Sequence, residues 1–363
     1  MKFYIKLSLV ILVASLLISA GFVLAKSTSS GLVSVNSPTP TPTTTPEFVK
    51  IFYYRDGKRS RASYEKNIKY FDVIAPQSYG VNALGELKGG LEDDFVNLAR
   101  KNGVKIMPLV TNSSFSESIL NKILGDTVIQ DKIIKAMVAE GKKQNYWGWQ
   151  FDFEQMKSDR RDQYSAFVKR AYPEFKKNNL VFSVAVIAQT SLNPDDYPNN
   201  LWQRVIGAYD YKILGANSDF LSIMSYDQPA SGGPVASIDW VKKVVSFSIS
   251  QVPASKLSLG IPFYFWKWED KTGKLMDIGG YGRIDELFKY PKQIIKKGWS
   301  PTYQVAWVNY VQQKKVYTAW YEDYISFSYK IDLALTFKMH GFSAWALGLE
   351  DPDIYKLIQA QGI

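Results

Sequence analysis

The chain has no cysteine and a single histidine, His340, among 363 residues. The first absence excludes disulfides, thiol nucleophiles and cysteine-ligated metals. The second leaves a Ser-His-Asp triad with only one residue to serve as its base, and no Gly-x-Ser-x-Gly elbow is present. His340 falls late in an expected helix, just before Gly341. A lone imidazole there reads as a helix-end residue rather than a catalyst. A glycine-rich phosphate loop and a dinucleotide fingerprint are also missing. No cofactor and no metal are expected, and the chemistry falls to carboxylates.

The content that remains is apolar and basic. At 46% hydrophobic residues the chain can bury a large core. The net charge of +10 suits an anionic partner such as nucleic acid, anionic lipid or an anionic cell wall. No recognition motif or tight Lys/Arg cluster favours nucleic acid. A monomer is expected.

Three segments follow one another. Residues 1–25 read as a targeting element, in which Lys2 and Lys6 precede an uncharged run from Leu7 to Ala25. Val23-Leu24-Ala25 offers small residues where a signal peptidase cuts. The run also approaches the length of about 20 residues that spans a bilayer, which leans the reading to an uncleaved anchor. Either way the remainder is directed outward, because the lysines keep the N-terminus inside. Residues 26–47 form a spacer containing Ser37-Pro38-Thr39-Pro40-Thr41-Pro42-Thr43-Thr44-Thr45-Pro46. Alternating proline permits neither helix nor ladder, so an extended stalk is expected.

Residues 48–363 alternate short apolar runs with amphipathic ones. Expected strands cover Val49 to Tyr54, Val73 to Gln77, Val104 to Val110, Trp149 to Glu154, Val181 to Ala188, Phe220 to Tyr226, Leu257 to Phe263 and Phe342 to Ala346. Expected helices cover Leu91 to Asn102, Ile119 to Lys142, Arg160 to Asn178, Trp202 to Leu214, Ile238 to Gln251 and Tyr324 to His340. Such alternation implies parallel pairing and an α/β fold, a (β/α)8 TIM barrel. The long gap from Trp266 to Tyr321 predicts a small insertion between strands seven and eight, either a small hairpin or an added lobe over the barrel mouth. A helix from Ile284 to Lys297 is expected within it.

The fourth strand is the most informative. Side chains alternate along it with period two, so Gln150, Asp152 and Glu154 share one face while Trp149, Phe151 and Phe153 share the other. Carboxylates on a buried strand are costly, and their place at its C-terminal end marks a site. The residues from Gly148 to Glu154 resemble the DxxDxDxE strand of glycoside hydrolase family 18. Asp152 and Glu154 match it strictly. Gln150 stands where the family has Asp or Asn, and Trp147 stands where many members have the first Asp. Met224-Ser225-Tyr226-Asp227, Leu259-Gly260-Ile261-Pro262-Phe263-Tyr264 and Gly341-Phe342-Ser343-Ala344-Trp345-Ala346-Leu347-Gly348 resemble later strands of the same family, in its order. With Leu109-Val110-Thr111-Asn112, they are most similar to its cortical-fragment-lytic, spore-germination N-acetylglucosaminidase branch.

The resemblance implies retaining hydrolysis of β-linked N-acetylglucosamine glycans, with peptidoglycan ahead of chitin. The substrate's own acetamido oxygen would be the nucleophile. A sugar-binding protein without turnover is a second class, but such proteins usually lose the acid that Glu154 supplies here; a purely structural envelope protein, whose acids only satisfy a barrel network, is a third. The resemblance implies Glu154 as general acid, Asp152 as its support at the acetamido group, and Tyr226 as the donor that orients that group. Asp227 would hold the sugar or the Asp152 network, and Trp345 would be the apolar floor under the sugar. Tyr53, Gln77, Asn112, Gln150, Met224 and Tyr264 are further substrate-binding candidates near the same strand ends. For Tyr53 and Gln77 a purely structural hydrogen bond is at least as good a reading. Ten Trp and 23 Tyr would allow sugar-stacking platforms as well as core packing.

Overall fold

The structure, a computed structural model, describes residues 48–363 apart from Ala230. The targeting run and the Pro/Thr spacer lie outside the described residues. Among the described residues no helix is long and apolar enough to cross a membrane.

Eight parallel strands close into a (β/α)8 barrel, as the alternating pattern requires. They are β1 (Val49–Tyr54), β2 (Val73–Val81), β3 (Lys105–Ile106 with Leu109–Asn112), β4 (Gly148–Phe151), β5 (Val181–Ile187), β6 (Phe220–Met224), β7 (Leu257–Pro262) and β8 (Gly341–Trp345). Pairing of β1 with both β2 and β8 completes the ring. Period-two alternation sorts each strand between two apolar clusters. Val49, Ile51 and Tyr53 pack inside the barrel with Val73, Met107 and Phe220. Phe52 and Tyr54 point outward to the helices. In β4 the outward side is aromatic. Phe151 packs against Phe167 and Phe182 with ring centroids 5.1 and 4.8 Å away. Those rings fix the inward direction of Gln150.

Four expectations are corrected. The strand expected to reach Glu154 ends at Phe151: Asp152 N–H still donates to Val110 O at 3.0 Å, but the backbone groups after it find side-chain partners. Glu154 N–H donates to Asn112 Oδ1 at 3.0 Å, and Gln155 turns to a φ of 59°. The helix expected from Ile119 to Lys142 is two, Glu117–Gly125 and Thr127–Lys143, since Asp126 caps the second at Val128 N–H and Ile129 N–H. The helix expected from Trp202 to Leu214 breaks into Leu201–Arg204, a 3-10 turn and Tyr211–Ala216, which Asp210 caps. The helix expected to reach His340 stops at Thr336. His340 instead stacks on Phe220 at 4.4 Å, and burial pushes its pKa down to about 4.

The insertion is an added lobe rather than a small hairpin, the second of the two forms expected. Strands Tyr264–Glu269, Lys274–Gly280, Ile294–Ser300, Val305–Gln312 and Lys315–Tyr321 make a five-stranded antiparallel sheet. Its helix spans Tyr281–Phe288 rather than Ile284 to Lys297. Pro291 cannot continue a helix, and the chain beyond it enters a strand.

A buried ion pair ties the last long helix to the chain entering it. Lys330 Nζ lies 2.6 Å from Glu322 Oε1, with side chains 0% and 4% exposed. Burial pushes the Glu322 carboxyl up despite that partner. Removing one member strands a buried charge, so Lys330→Met is expected to lose about 3–5 kcal/mol in a urea melt. Adding Glu322→Gln is expected to restore much of that loss.

Candidate active site

The candidate residues come from the C-terminal ends of several strands and meet at the barrel mouth. A cavity of about 200 Å³ there is lined by Tyr53, Asp152, Glu154, Met224, Tyr226, Asp227, Tyr264 and Trp345, with Leu109 and Ala185 at its base. Among the described residues no cluster of three His, Asp or Glu suits a metal ion.

Backbone and side-chain bonds hold the two acids. Asn112 brackets Glu154, accepting from its N–H and donating to its carbonyl oxygen at 3.2 Å. Tyr209 OH donates to Phe153 O at 2.7 Å, fixing the residue between the acids. Gln77 Nε2 donates to Asp152 Oδ2 at 3.3 Å. Asp227 sits at a φ of 58°, a left-handed conformation that Asp tolerates better than bulky residues. Tyr264 OH donates to its Oδ1 at 2.5 Å.

Burial pushes the Glu154 carboxyl up, and the neighbouring Asp152 and Asp227 carboxylates raise it further. Burial also raises Asp152, with the Gln77 bond opposing. Both carboxyls are thus raised, and neighbouring negative charge adds to the burial only at Glu154, which favours its protonated form. Asp227 is raised by burial and drawn back by Tyr264. Burial lifts Tyr226 well above 10, so its hydroxyl stays a donor at any ordinary pH. The arrangement supplies one protonated acid, one adjoining carboxylate and a neutral phenol around one chamber. That set can protonate a leaving oxygen and stabilise positive charge beside it.

Three candidates lie outside the cavity wall. Gln150 is fully buried beneath it, accepting from Tyr53 OH at 2.7 Å and donating to Ser183 Oγ and Ser222 Oγ at 2.9 Å each. Its amide positions Tyr53, whose pKa burial pushes up to about 12. Asn112 is equally buried and spends its amide on the Glu154 backbone and on Ser116 O. Gln77 reaches the chamber through Asp152. Sequence reasoning missed Tyr209, Ser183 and Ser222, which stand in stretches without any motif. The small residues of β5 and β6 were the only trace of the two serines.

A family profile for glycosyl hydrolases family 18 matches residues 50–350. The chain belongs to that family. It is similar to YvbX, an uncharacterized glycosylase of Bacillus subtilis. Identity is 27% over 313 residues, which is 82% of this chain and 88% of that one. A cortical fragment-lytic enzyme of Bacillus subtilis is 23% identical over 300 residues, covering 80% of this chain and 68% of its own. The solved spore cortex-lytic enzyme SleL of Bacillus megaterium matches with TM-score 0.77 at 25% identity, over 88% of this chain and 75% of that chain. The motifs therefore pointed to the branch in which these relatives stand. The protein is a family 18 glycosidase, and its role is glycan hydrolysis.

The raised carboxyl gives a stability test that needs no substrate. Glu154 keeps its proton in the folded protein above its ordinary value of 4.5, whereas the unfolded chain releases it. The folded state then holds more protons, so its stability falls as pH rises from there to the raised value. Glu154→Gln lacks this penalty. Urea melts are expected to show the variant gaining on wild type by up to about 1.4 kcal/mol per pH unit across that window, and by a constant amount above it.

Proposed function

We propose that this glycosidase hydrolyses β-linked N-acetylglucosamine glycans, peptidoglycan foremost, by a retaining, substrate-assisted route. The observation that carries the reading is the placing of two carboxyls, Glu154 and Asp152, in one cavity at the barrel mouth, where burial and its acidic neighbours raise the proton affinity of Glu154. Glu154 gives its proton to the glycosidic oxygen as the bond breaks. The acetamido oxygen of the same sugar attacks the anomeric carbon, so no carboxylate becomes bonded to the sugar. Asp152 accepts the acetamido N–H and offsets the positive charge of the oxazolinium ring. Tyr226 orients the acetamido oxygen, Asp227 holds the sugar, and Trp345 is its apolar floor. Water then opens the ring, with Glu154 now acting as base.

The names of the relatives, lytic towards spore cortex, support peptidoglycan over chitin. The basic charge and the apolar run from Leu7 to Ala25 support work outside the membrane, with the Pro/Thr spacer as a stalk. N-terminal sequencing of fractionated cells separates an anchored form from one released at Lys26.

Glu154→Gln is expected to lower turnover of purified peptidoglycan about 10²- to 10⁴-fold while the protein stays folded. Near wild-type turnover would remove Glu154 from the acid role. Replacing the acetamido group of the cleaved sugar by a free amine is expected to abolish hydrolysis, and a thiazoline analogue is expected to compete. Mass spectrometry of the products from peptidoglycan and from chitin oligomers assigns the glycan.

A further inference from the structure

Resting on that reading, we propose that Arg55 determines which glycan is accepted, its guanidinium at the rim of the catalytic chamber binding the acidic substituent of a muramyl sugar beside the one being cut. Period-two alternation turns Ile51 and Tyr53 of β1 into the barrel. Arg55 is the next position on that side, just past the end of the strand at Tyr54. Its guanidinium carbon accordingly lies over the Trp345 ring, 5.8 Å from the centroid. Tyr53 packs on the same indole, with ring centroids 5.3 Å apart. Trp345 lines the cavity that holds Asp152, Glu154 and Asp227. Arg55 itself is exposed to solvent.

Nothing else on the chain uses this charge. Arg61, on the helix that follows, shows the ordinary arrangement, with Glu65 and Asp94 each 2.6 Å away. Arg55 has no such carboxylate partner among the described residues. The acids of the chamber do not depend on it either. Burial and neighbouring carboxylates raise their pKa values, hydrogen bonds from Gln77 and Tyr264 oppose, and no cation enters. Lying over an indole occupies the face of a guanidinium and leaves its N–H edge open. That edge matches a carboxylate through two parallel hydrogen bonds. Only one of the two candidate glycans offers such a group. Chitin has no carboxyl. In peptidoglycan, N-acetylglucosamine alternates with muramyl sugars, each bearing a lactyl ether whose carboxyl is free or extended by an acidic peptide. With N-acetylglucosamine on the Trp345 floor, the adjoining sugar is therefore muramyl, and Arg55 stands at the edge of that floor. The carboxylates of the chamber repel an anionic strand, and a cation at the rim offsets that repulsion.

The test measures kcat and KM of wild type, Arg55→Gln and Arg55→Lys on four soluble substrates. They are peptidoglycan strands with stem peptides, strands stripped of them by an amidase, strands whose carboxyls have been converted to amides, and a six-sugar chitin oligomer. Arg55→Gln is expected to raise KM about three- to tenfold on strands that keep their carboxylates, with little change in kcat. Arg55→Lys is expected to recover part of the loss. Added salt is expected to raise the wild-type KM on those strands more steeply than that of Arg55→Gln. A loss on stripped strands assigns the lactyl carboxylate, and a loss confined to peptide-bearing strands assigns the stem peptide. An equal change on amidated strands and chitin would show that Arg55 only braces Trp345, and would overturn the proposal. Unchanged KM on every strand would overturn it too, with the catalytic reading intact. A wild type that cleaves chitin but no peptidoglycan strand removes the peptidoglycan reading and this role of Arg55 with it.

Discussion

Two carboxyl groups, the buried Asp152 and the half-buried Glu154, are held together at the end of one strand, and the rest of the structure serves that constraint. Buried carboxyls resist joint ionisation, so one proton stays at the site near neutral pH. Holding them there requires a backbone that cannot relax toward solvent. Asn112 clamps Glu154 on both sides of its peptide group, and Tyr209 clamps Phe153 between the acids. On the other side of β4, Phe151 and Phe153 sink into an aromatic layer under the helices, their rings stacked at 4.8 Å. The acids have nowhere to go but inward.

Barrel closure supplies the dry chamber. The strand interiors below it are filled by small or satisfied polar groups, among them Ser183, Ser222, Ser258 and Ser343. Gln150 uses three hydrogen bonds there. A neutral amide at that place adds no further charge beneath Asp152, which an Asp would. The insertion sheet divides its labour by face. One side holds the lobe together, and the other packs Trp266 and Trp268 with Tyr264 against Tyr226 and Trp345 at the mouth.

Much of this was legible from residue order. Short apolar runs located all eight barrel strands, and the order of aromatic and acidic positions in Trp149 to Glu154 gave the face that each side chain takes. Errors arose where one side chain outweighed a local pattern. Asp126 capped a new helix inside a run that reads as continuous, and Asp210 did the same later. Pro291 ended the insertion helix early. His340 read as a helix-end residue, yet packing against Phe220 drew it under cover. The five-stranded lobe was hidden because antiparallel strands with one wet face carry weak apolar runs.

The sequence by itself determined the parallel barrel, the order of its strands and the identity of the paired acids, because spacing along a strand decides which side chains share a face. Only the tertiary structure decided what each neighbour does. Gln150, Asn112 and Gln77 became supports under the chamber once strands far apart in the chain closed around them. Their amides met hydroxyls, a backbone and a carboxylate that no local spacing announces. The raised proton affinity of Glu154 was decided in the same way. It arises from apolar walls and from Asp227, residues brought within reach only when the sheet curls into a ring.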